Sequence, residues 1–158
     1  MHFDYLDQQA KKSCQQQFAI EQADNSSFDA YLEHYFLMHN TTTICALASA
    51  LGQGGIGIVR VSGTLTGGIA QKMLGKIPKA RYAHYGSFFS QEGDEIDKGV
   101  ALFFPAPNSF TGEDVLELQG HGGIVVMRLL LEAALSLGAE AAEPGEFSKR
   151  AFLNGKWT

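Results

Sequence analysis

Glycine and proline are distributed unevenly along this chain, and their distribution constrains the fold more than any other feature. All 18 glycines and all 4 prolines lie after residue 40 of the 158. Because both residues interrupt helices and form turns, residues 1–40 can be largely helical, whereas residues 41–158 must turn often. The charge balance changes at the same point. Residues 1–40 contain 6 acidic and 2 basic residues, whereas residues 41–158 contain 11 acidic and 10 basic residues. We therefore predict a helical appendage at residues 1–40 and a separate domain at residues 41–158.

The appendage is rich in Gln, Ala and Glu, which favour helices. After Ser26, which can cap a helix, large apolar residues recur at helical spacing, namely Phe28, Tyr31, Leu32, Tyr35 and Phe36. This spacing is more typical of a packing face than of a ligand site. Cys14 in the appendage and Cys45 in the domain form no Cys-x-x-Cys pair, so we expect free thiols in a reducing compartment.

In the second part of the chain, short strands alternate with helices. Strands are predicted at residues 44–48, 55–61 and 113–118, with a hairpin of strands 82–89 and 96–104 around a turn at residues 91–94. Helices are predicted up to a stop at Gly75, over residues 125–137, and over residues 146–153.

Composition indicates a globular domain, with 45% hydrophobic and 18% charged residues. No segment is long and apolar enough to span a bilayer, and the acidic N-terminus lacks the hydrophobic run of a signal peptide. We therefore expect a cytoplasmic protein without membrane contact. The net charge of −5 argues against non-specific phosphate binding by the chain as a whole, and the sequence shows no basic stripe with interleaved aromatic residues.

Two charged residues interrupt apolar strands and are candidate binding residues. Arg60 is the single charge in its strand, where it is either ion-paired or at a sheet edge, or else an anchor for a carboxylate or a pterin ring. Glu117 lies between Leu116 and Leu118, so alternation directs it to the opposite face. It is either a solvent-facing acid, the commoner case, or the partner of an aminopyrimidine ring, whose N–H groups a carboxylate can accept in bidentate geometry.

Other motifs carry less weight. His121, between two glycines, is interpreted as a loop hydrogen-bonder, and no second His or Cys at ligand spacing supports a metal site. Gly52, Gly54 and Gly57 match the spacing of a dinucleotide fingerprint, but they precede a strand instead of joining a strand to a helix. The charged helix at residues 146–153 is either a solvated surface helix or the source of a base near a ligand site or at a dimer seam. The sequence contains no phosphate loop for GTP and no recognisable catalytic set, so no catalytic residue is predicted.

Several long motifs occur in the order found in a known family. They are Gly57–Gly63, Leu74–Pro78, Arg81–Gly86, Pro107–Gly123 and Pro144–Lys156. On these motifs, residues 43–156 resemble the N-terminal domain of the bacterial tRNA-modification GTPases MnmE, also called TrmE. Residues 1–37 lie outside this resemblance and are faintly similar to the C-terminal tail of bacterial glutamate–cysteine ligase, which indicates an appendage foreign to the family.

The resemblance implies an α+β fold with a mixed sheet and flanking helices, like the folate-binding domain of the glycine-cleavage T protein. It also implies a homodimer that binds 5-formyl-tetrahydrofolate near the dimer seam, with the folate contacts falling on Arg60, Glu117 and Lys156. In the full-length family, the folate supplies a one-carbon unit for modification of the wobble uridine of tRNA, together with the flavin-containing partner MnmG. GTP, Mg²⁺ and K⁺ bind outside the region that this chain covers.

The chain departs from the family pattern in two places. Ala50–Gly54 replaces the usual Pro-Pro-Gly-Arg-Gly, so a contact from that loop is in question. The family continues beyond Lys156 into a helical domain and a GTPase domain, so we expect this chain alone to be inactive as an enzyme. Two alternatives stay open, a dimerisation fragment without folate binding and an aminomethyltransferase-like folate enzyme. The origin of residues 1–37 is open as well.

Overall fold

The computed structural model describes residues 42–50 and 54–156, together with Ala30. The chain divides into two units, Met1–His39 and Asn40–Thr158, and every element named below belongs to the second. The helices predicted in residues 1–40, Cys14 and most of the altered loop lie outside the described residues. The division into a foreign appendage and a family domain therefore stays a prediction.

The described part of the second unit contains six strands and three helices. In chain order these are β1 (Ile44–Leu47), β2 (Ile56–Ser62), α1 (Thr66–Leu74), β3 (His84–Phe89), β4 (Glu95–Phe104), β5 (Val115–His121), α2 (Ile124–Ser136), β6 (Glu140–Ala141) and α3 (Glu146–Leu153). None of the helices among these residues is long and apolar enough to cross a membrane.

The six strands form one sheet in the spatial order β3-β4-β5-β2-β1-β6. Strands β1 and β6 are parallel, and all other neighbours are antiparallel. This mixed sheet with its helices confirms the predicted α+β fold, while its likeness to the folate-binding domain of the T protein stays a prediction. Strands β2 and β5 are neighbours at the centre of the sheet, so the two predicted binding residues that they carry can meet.

One face of the sheet packs against α1 and α2 and holds the main core. On this face Val59 and Val61 of β2 lie opposite Leu118 and Leu116 of β5, and all four side chains are buried. The helices contribute Ile69, Ala70, Met73, Met127, Leu130 and Ala134 to the same cluster. Each large apolar side chain buried in this way stabilises the fold by about 1.5–3 kcal/mol.

The opposite face carries the intervening residues, because side chains alternate along a strand. They include Ile58, Arg60 and Glu117, which are only half-buried. Helix α3 reaches this face, since its Phe147 ring lies beside the Arg60 guanidinium. We call this half-buried side of β2 and β5 the open sheet face.

The observed elements agree closely with those predicted from the sequence. Helix α3 coincides with its predicted range, and α1 ends before Gly75, whose φ of 73° lies in the left-handed region that glycine adopts readily. Strand β5 continues to His121 because β2 provides backbone partners up to that position. Strand β6 has no sequence signal, since two exposed residues show no periodicity.

Candidate functional site on the open sheet face

Arg60 and Glu117 form an ion pair at the centre of the open sheet face. The two residues are direct cross-strand partners in the antiparallel register of β2 and β5. Arg60 donates from Nε and from Nη2 to the same carboxylate oxygen, Glu117 Oε1, at 2.9 and 2.8 Å. Their side chains are 24% and 16% exposed, respectively. The pair is therefore partly withdrawn from water yet still reachable by a ligand.

Two aromatic rings flank the Arg60 guanidinium. Its Cζ atom lies 5.1 Å from the ring centroid of Phe110 and 5.7 Å from that of Phe147. Both distances are within the range of a cation–π contact. Phe110 comes from the loop before β5 and Phe147 from the first turn of α3, so two separate segments meet over this Arg.

The second oxygen of Glu117 has no hydrogen-bond partner in the described part of the chain. Both N–H groups of Arg60 that reach the carboxylate go to Oε1, which leaves the acceptor positions of Oε2 to solvent or to a ligand. A half-buried carboxylate with one engaged and one available oxygen can accept an N–H from a bound molecule. The adjacent aromatic and apolar side chains suit a flat, weakly polar ring.

Lys156 lies at the same end of the domain, and among the described residues no hydrogen bond or ion pair joins its side chain to Arg60 or Glu117. The Cε atom of Lys156 lies beside Gly112. A side chain at position 112 would place its Cβ only 3.1 Å from that Cε atom. The neighbouring Thr111 hydroxyl is 2.7 Å from the hydroxyl of Ser62, which follows Arg60 by two residues on the same side of β2. The structure thus brings Arg60 and Glu117 together and places Lys156 on a loop beside them.

Arg150 anchors α3 and the loop before β5 to each other. It is only 3% exposed. It donates to the backbone oxygen of Thr42 at 2.7 Å, to the Thr42 hydroxyl at 2.9 Å, to Glu113 Oε1 at 3.1 Å and to Glu146 Oε1 at 3.0 Å. Glu113 Oε2 in turn accepts a 2.6 Å hydrogen bond from Ser62. This network joins α3, the loop before β5 and the end of β2, and so fixes the two aromatic rings over Arg60.

Sequence reasoning missed this network. It treated the charges of residues 146–153 as either solvated or near a site, whereas the structure buries Arg150 and pairs it with the half-buried Glu146 of the same helix. The available signal was the i, i+4 spacing of Glu146 and Arg150, which is common on exposed helices too. The partners Thr42 and Glu113 are 108 and 37 residues away along the chain, and no local pattern links them to Arg150.

His121, the predicted loop hydrogen-bonder, ends strand β5 and binds Asp97. Asp97 Oδ2 accepts from the His121 backbone N–H at 2.8 Å, and Oδ1 lies 2.7 Å from the ring Nδ1. Burial raises the pKa of Asp97, but the hydrogen bonds of His121 and Lys98 and the charge of His121 outweigh burial, so this pKa lies below its ordinary value. The stability that Asp97 contributes is therefore present above about pH 4 and is lost as the pH falls through the folded-state pKa.

Cys45 is a buried free thiol on the core side of β1. Burial raises its pKa to about 11, so the thiol stays protonated at neutral pH. Since the thiolate is the reactive form, Cys45 is a core residue and not a nucleophile.

Comparison with known proteins gives a consistent result. The family model described as GTP-binding protein TrmE N-terminus matches residues 43–156. The chain is 75% identical over 115 residues to the tRNA modification GTPase MnmE of Vesicomyosocius okutanii, 64% identical over 114 residues to that of Hydrogenovibrio crunogenus, and 62% identical over 116 residues to that of Pseudomonas aeruginosa. These matches cover 73%, 72% and 73% of the chain but only 26%, 25% and 26% of the relatives, so the chain spans about a quarter of their length.

The buried position of Arg150 leads to a stability prediction. Arg150→Met should lower the free energy of unfolding by about 3–5 kcal/mol, because it leaves the Glu113 carboxylate partly buried without its cationic partner. Urea denaturation followed by circular dichroism measures this loss.

Arg128→Met is the matched control. Arg128 also pairs with a Glu four residues along a helix, but both side chains are well exposed. Its loss should therefore be within about 0.5 kcal/mol. Equal losses for the two variants would show that Arg150 does not anchor the loop.

Proposed function

The chain belongs to the TrmE N-terminal family of GTP-binding proteins, and from this premise we propose that it is the folate-binding and dimerisation module of a tRNA-modification GTPase. The observation that supports folate binding best is the Arg60–Glu117 pair, in which Glu117 Oε2 accepts no hydrogen bond from any residue that the structure describes. The folate class in question is 5-formyl-tetrahydrofolate, which would supply a one-carbon unit.

The residues present fit such a ligand in their chemistry. The pterin part of a folate has an aminopyrimidine edge made of N–H donors, and a carboxylate is its natural acceptor. The rings of Phe110 and Phe147 provide apolar surroundings for a flat heterocycle. The ammonium group of Lys156 provides a positive charge for the acidic tail of a folate.

The geometry of the ion pair implies different roles for Arg60 and Glu117 in ligand binding. In the sequence-based hypothesis, Glu117 accepts two parallel N–H bonds from the ligand while Arg60 contributes charge elsewhere in the site. In the structure Arg60 already donates twice to Oε1. We therefore assign to Glu117 Oε2 the contact with the aminopyrimidine edge, and to Arg60 the task of holding the carboxylate in a fixed orientation.

An exposed apolar patch supports the dimerisation part of the proposal. Ile56 at the start of β2 is 69% exposed, and Ile124 at the start of α2 is 72% exposed. Ile56 lies opposite His121 in the sheet, and His121 precedes Ile124 by three residues, so both exposed residues lie at the same end of β2 and β5. Val125 and Leu129, one helical turn apart on α2, are exposed as well. Contiguous exposed apolar residues often mark a protein interface, and we propose a second copy of this chain as the partner.

Within a full-length protein, this module would act in the cytoplasm on the wobble uridine of tRNA. The flavin-containing protein MnmG would be its partner, and GTP, Mg²⁺ and K⁺ would bind in regions beyond those that this chain covers. The relatives' name supports the modification of tRNA as the reaction context. The module itself would contribute ligand binding and assembly.

Glu117→Gln should weaken binding of 5-formyl-tetrahydrofolate by about ten- to a hundredfold. A charge-assisted hydrogen bond is worth about 1.5–3 kcal/mol, and each ~1.4 kcal/mol changes affinity tenfold. Isothermal titration calorimetry measures the affinity. Glu140→Gln removes the same charge from an exposed position on β6 and should leave the affinity unchanged. A wild-type chain that does not bind the folate, or a Glu117→Gln variant that binds as tightly as wild type, would favour a dimerisation fragment without folate binding.

Ile124→Asp should raise the dimer dissociation constant at least tenfold, because it places a charge in the proposed apolar seam. An acidic residue in the first turn of a helix is favourable for the helix itself, so the monomer should stay folded. Leu65→Asp is the matched control, since Leu65 is also an exposed apolar residue at a helix N-terminus but lies outside the patch. Sedimentation velocity over a range of concentrations measures both. A concentration-independent monomer mass for the wild-type chain would contradict dimerisation, and equal effects of the two variants would contradict this seam.

A further inference from the structure

The charges of this acidic chain are strongly segregated along the sequence. No Asp or Glu occurs between Glu33 and Glu92, while the same stretch holds five basic residues. Arg60 is neutralised by Glu117. The other four are Lys72, Lys76, Lys79 and Arg81. They therefore form a local concentration of positive charge within a chain whose net charge is −5.

The four basic residues are exposed, and none of them forms an ion pair with a carboxylate in the described part of the chain. Lys72 and Lys76 lie at the end of α1, and Lys79 and Arg81 lie in the connection to β3. Arg81 donates to the backbone oxygen of Asn108 at 3.3 Å, which holds its side chain without neutralising it. Positive charges of this kind are available for an anionic partner.

A groove lies among these charges. It has a volume of about 380 Å³ and is lined by Lys76, Ile77, Pro78, Lys79, Tyr82, Ala83 and His84. The Nζ atom of Lys79 is 3.9 Å from the ring centroid of Tyr82, and 60% of Tyr82 is exposed nevertheless. The groove therefore combines exposed cations with one accessible aromatic ring. We call it, with the flanking Lys72 and Arg81, the basic groove.

The backbone holds this connection in a defined shape. Arg81 has a φ of 60°, a left-handed conformation that is costly for a residue other than glycine. Its N–H is tied to the backbone oxygen of Phe103 at 2.9 Å, and the N–H of Tyr82 is tied to that of Lys79 at 3.1 Å. Lys79, Arg81 and Tyr82 are therefore presented together, and strained positions of this kind are concentrated where a surface has a function.

We propose that the basic groove binds a single-stranded segment of nucleic acid. Proteins that bind single strands combine cations that follow the phosphates with aromatic rings on which bases stack, and the groove provides both. A base-paired duplex keeps its bases stacked on one another, so it would use the cations but offer no free base to the exposed ring of Tyr82. An anionic membrane or an acidic peptide would use the cations but would leave the exposed ring of Tyr82 without a role.

The test is fluorescence anisotropy with a labelled twelve-residue oligouridylate, and with oligothymidylate of the same length, added to the full chain. Binding of both is expected, with log K falling against log salt with a slope of about −2, which corresponds to about three phosphate contacts on a single strand. Lys76→Ala/Lys79→Ala should weaken binding at least tenfold and flatten the salt dependence. Tyr82→Ala should weaken binding as well, whereas Tyr82→Phe, which keeps the ring, should bind like wild type.

The control is Lys98→Ala/Arg128→Ala, which removes two positive charges that lie outside the groove and pair with Glu95 and Glu132. This variant should bind almost like wild type. The proposal is overturned if it loses as much affinity as Lys76→Ala/Lys79→Ala, or if Tyr82→Ala has no effect. It is also overturned if polyglutamate or phosphatidylserine vesicles displace the oligonucleotide as well as unlabelled oligouridylate does. The groove shares no residue with the Arg60–Glu117 pair, so nucleic-acid binding and folate binding can fail independently.

Discussion

The hydrogen-bonded ion pair of Arg60 and Glu117 is the interaction on which the organisation of the open sheet face depends. Placing a guanidinium and a carboxylate on half-buried strand positions costs desolvation energy, which their mutual attraction only partly offsets. Two apolar residues at the same positions would pack at least as stably. The proposed role in binding accounts for a pair that adds little to stability, and its position between aromatic rings agrees with a flat ligand that offers N–H groups.

The rest of the domain supports that pair from two sides. On the core side, α1 and α2 cover the sheet and fix β2 and β5 in register, so Arg60 and Glu117 lie opposite each other. On the open side, the buried Arg150 ties α3 and the loop before β5 to the start of the domain. That arrangement brings Phe147 and Phe110 to the guanidinium. The site thus combines a rigid sheet with a loop that is fixed by one buried cation.

Much of this fold could be predicted from the sequence because its signals are local. Alternation placed Glu117 on the face opposite its neighbouring leucines, and glycine after the last apolar residue marked the end of α1. The ion pair itself could not be predicted, because nothing local specifies that β2 pairs with β5 or in which register. For Arg60 the sequence allows an ion pair, an edge position or a ligand contact, and only the central position of β2 in the sheet excludes the edge.

The burial of Arg150 and the basic groove could not be predicted from the sequence, because they depend on long-range contacts or on solvent accessibility. The burial of Arg150 requires partners far along the chain, and its helix has the composition of an exposed one. The basic groove was overlooked because net charge averages over the whole chain, whereas binding depends on charges gathered at one place. Composition describes the chain as acidic, but the described domain presents exposed cations and the exposed ring of Tyr82 beside its β3 edge.

The central claim is that the Arg60–Glu117 pair serves ligand binding more than folding. The most direct test is urea unfolding of the double variant Arg60→Met/Glu117→Leu, with and without 5-formyl-tetrahydrofolate. The account predicts a free energy of unfolding within about 1 kcal/mol of wild type in the absence of folate. With folate at about a hundred times its dissociation constant, wild type should gain about 2.7 kcal/mol and the double variant nothing. A double variant that loses more than about 3 kcal/mol without ligand, or that folate still stabilises, would contradict the account.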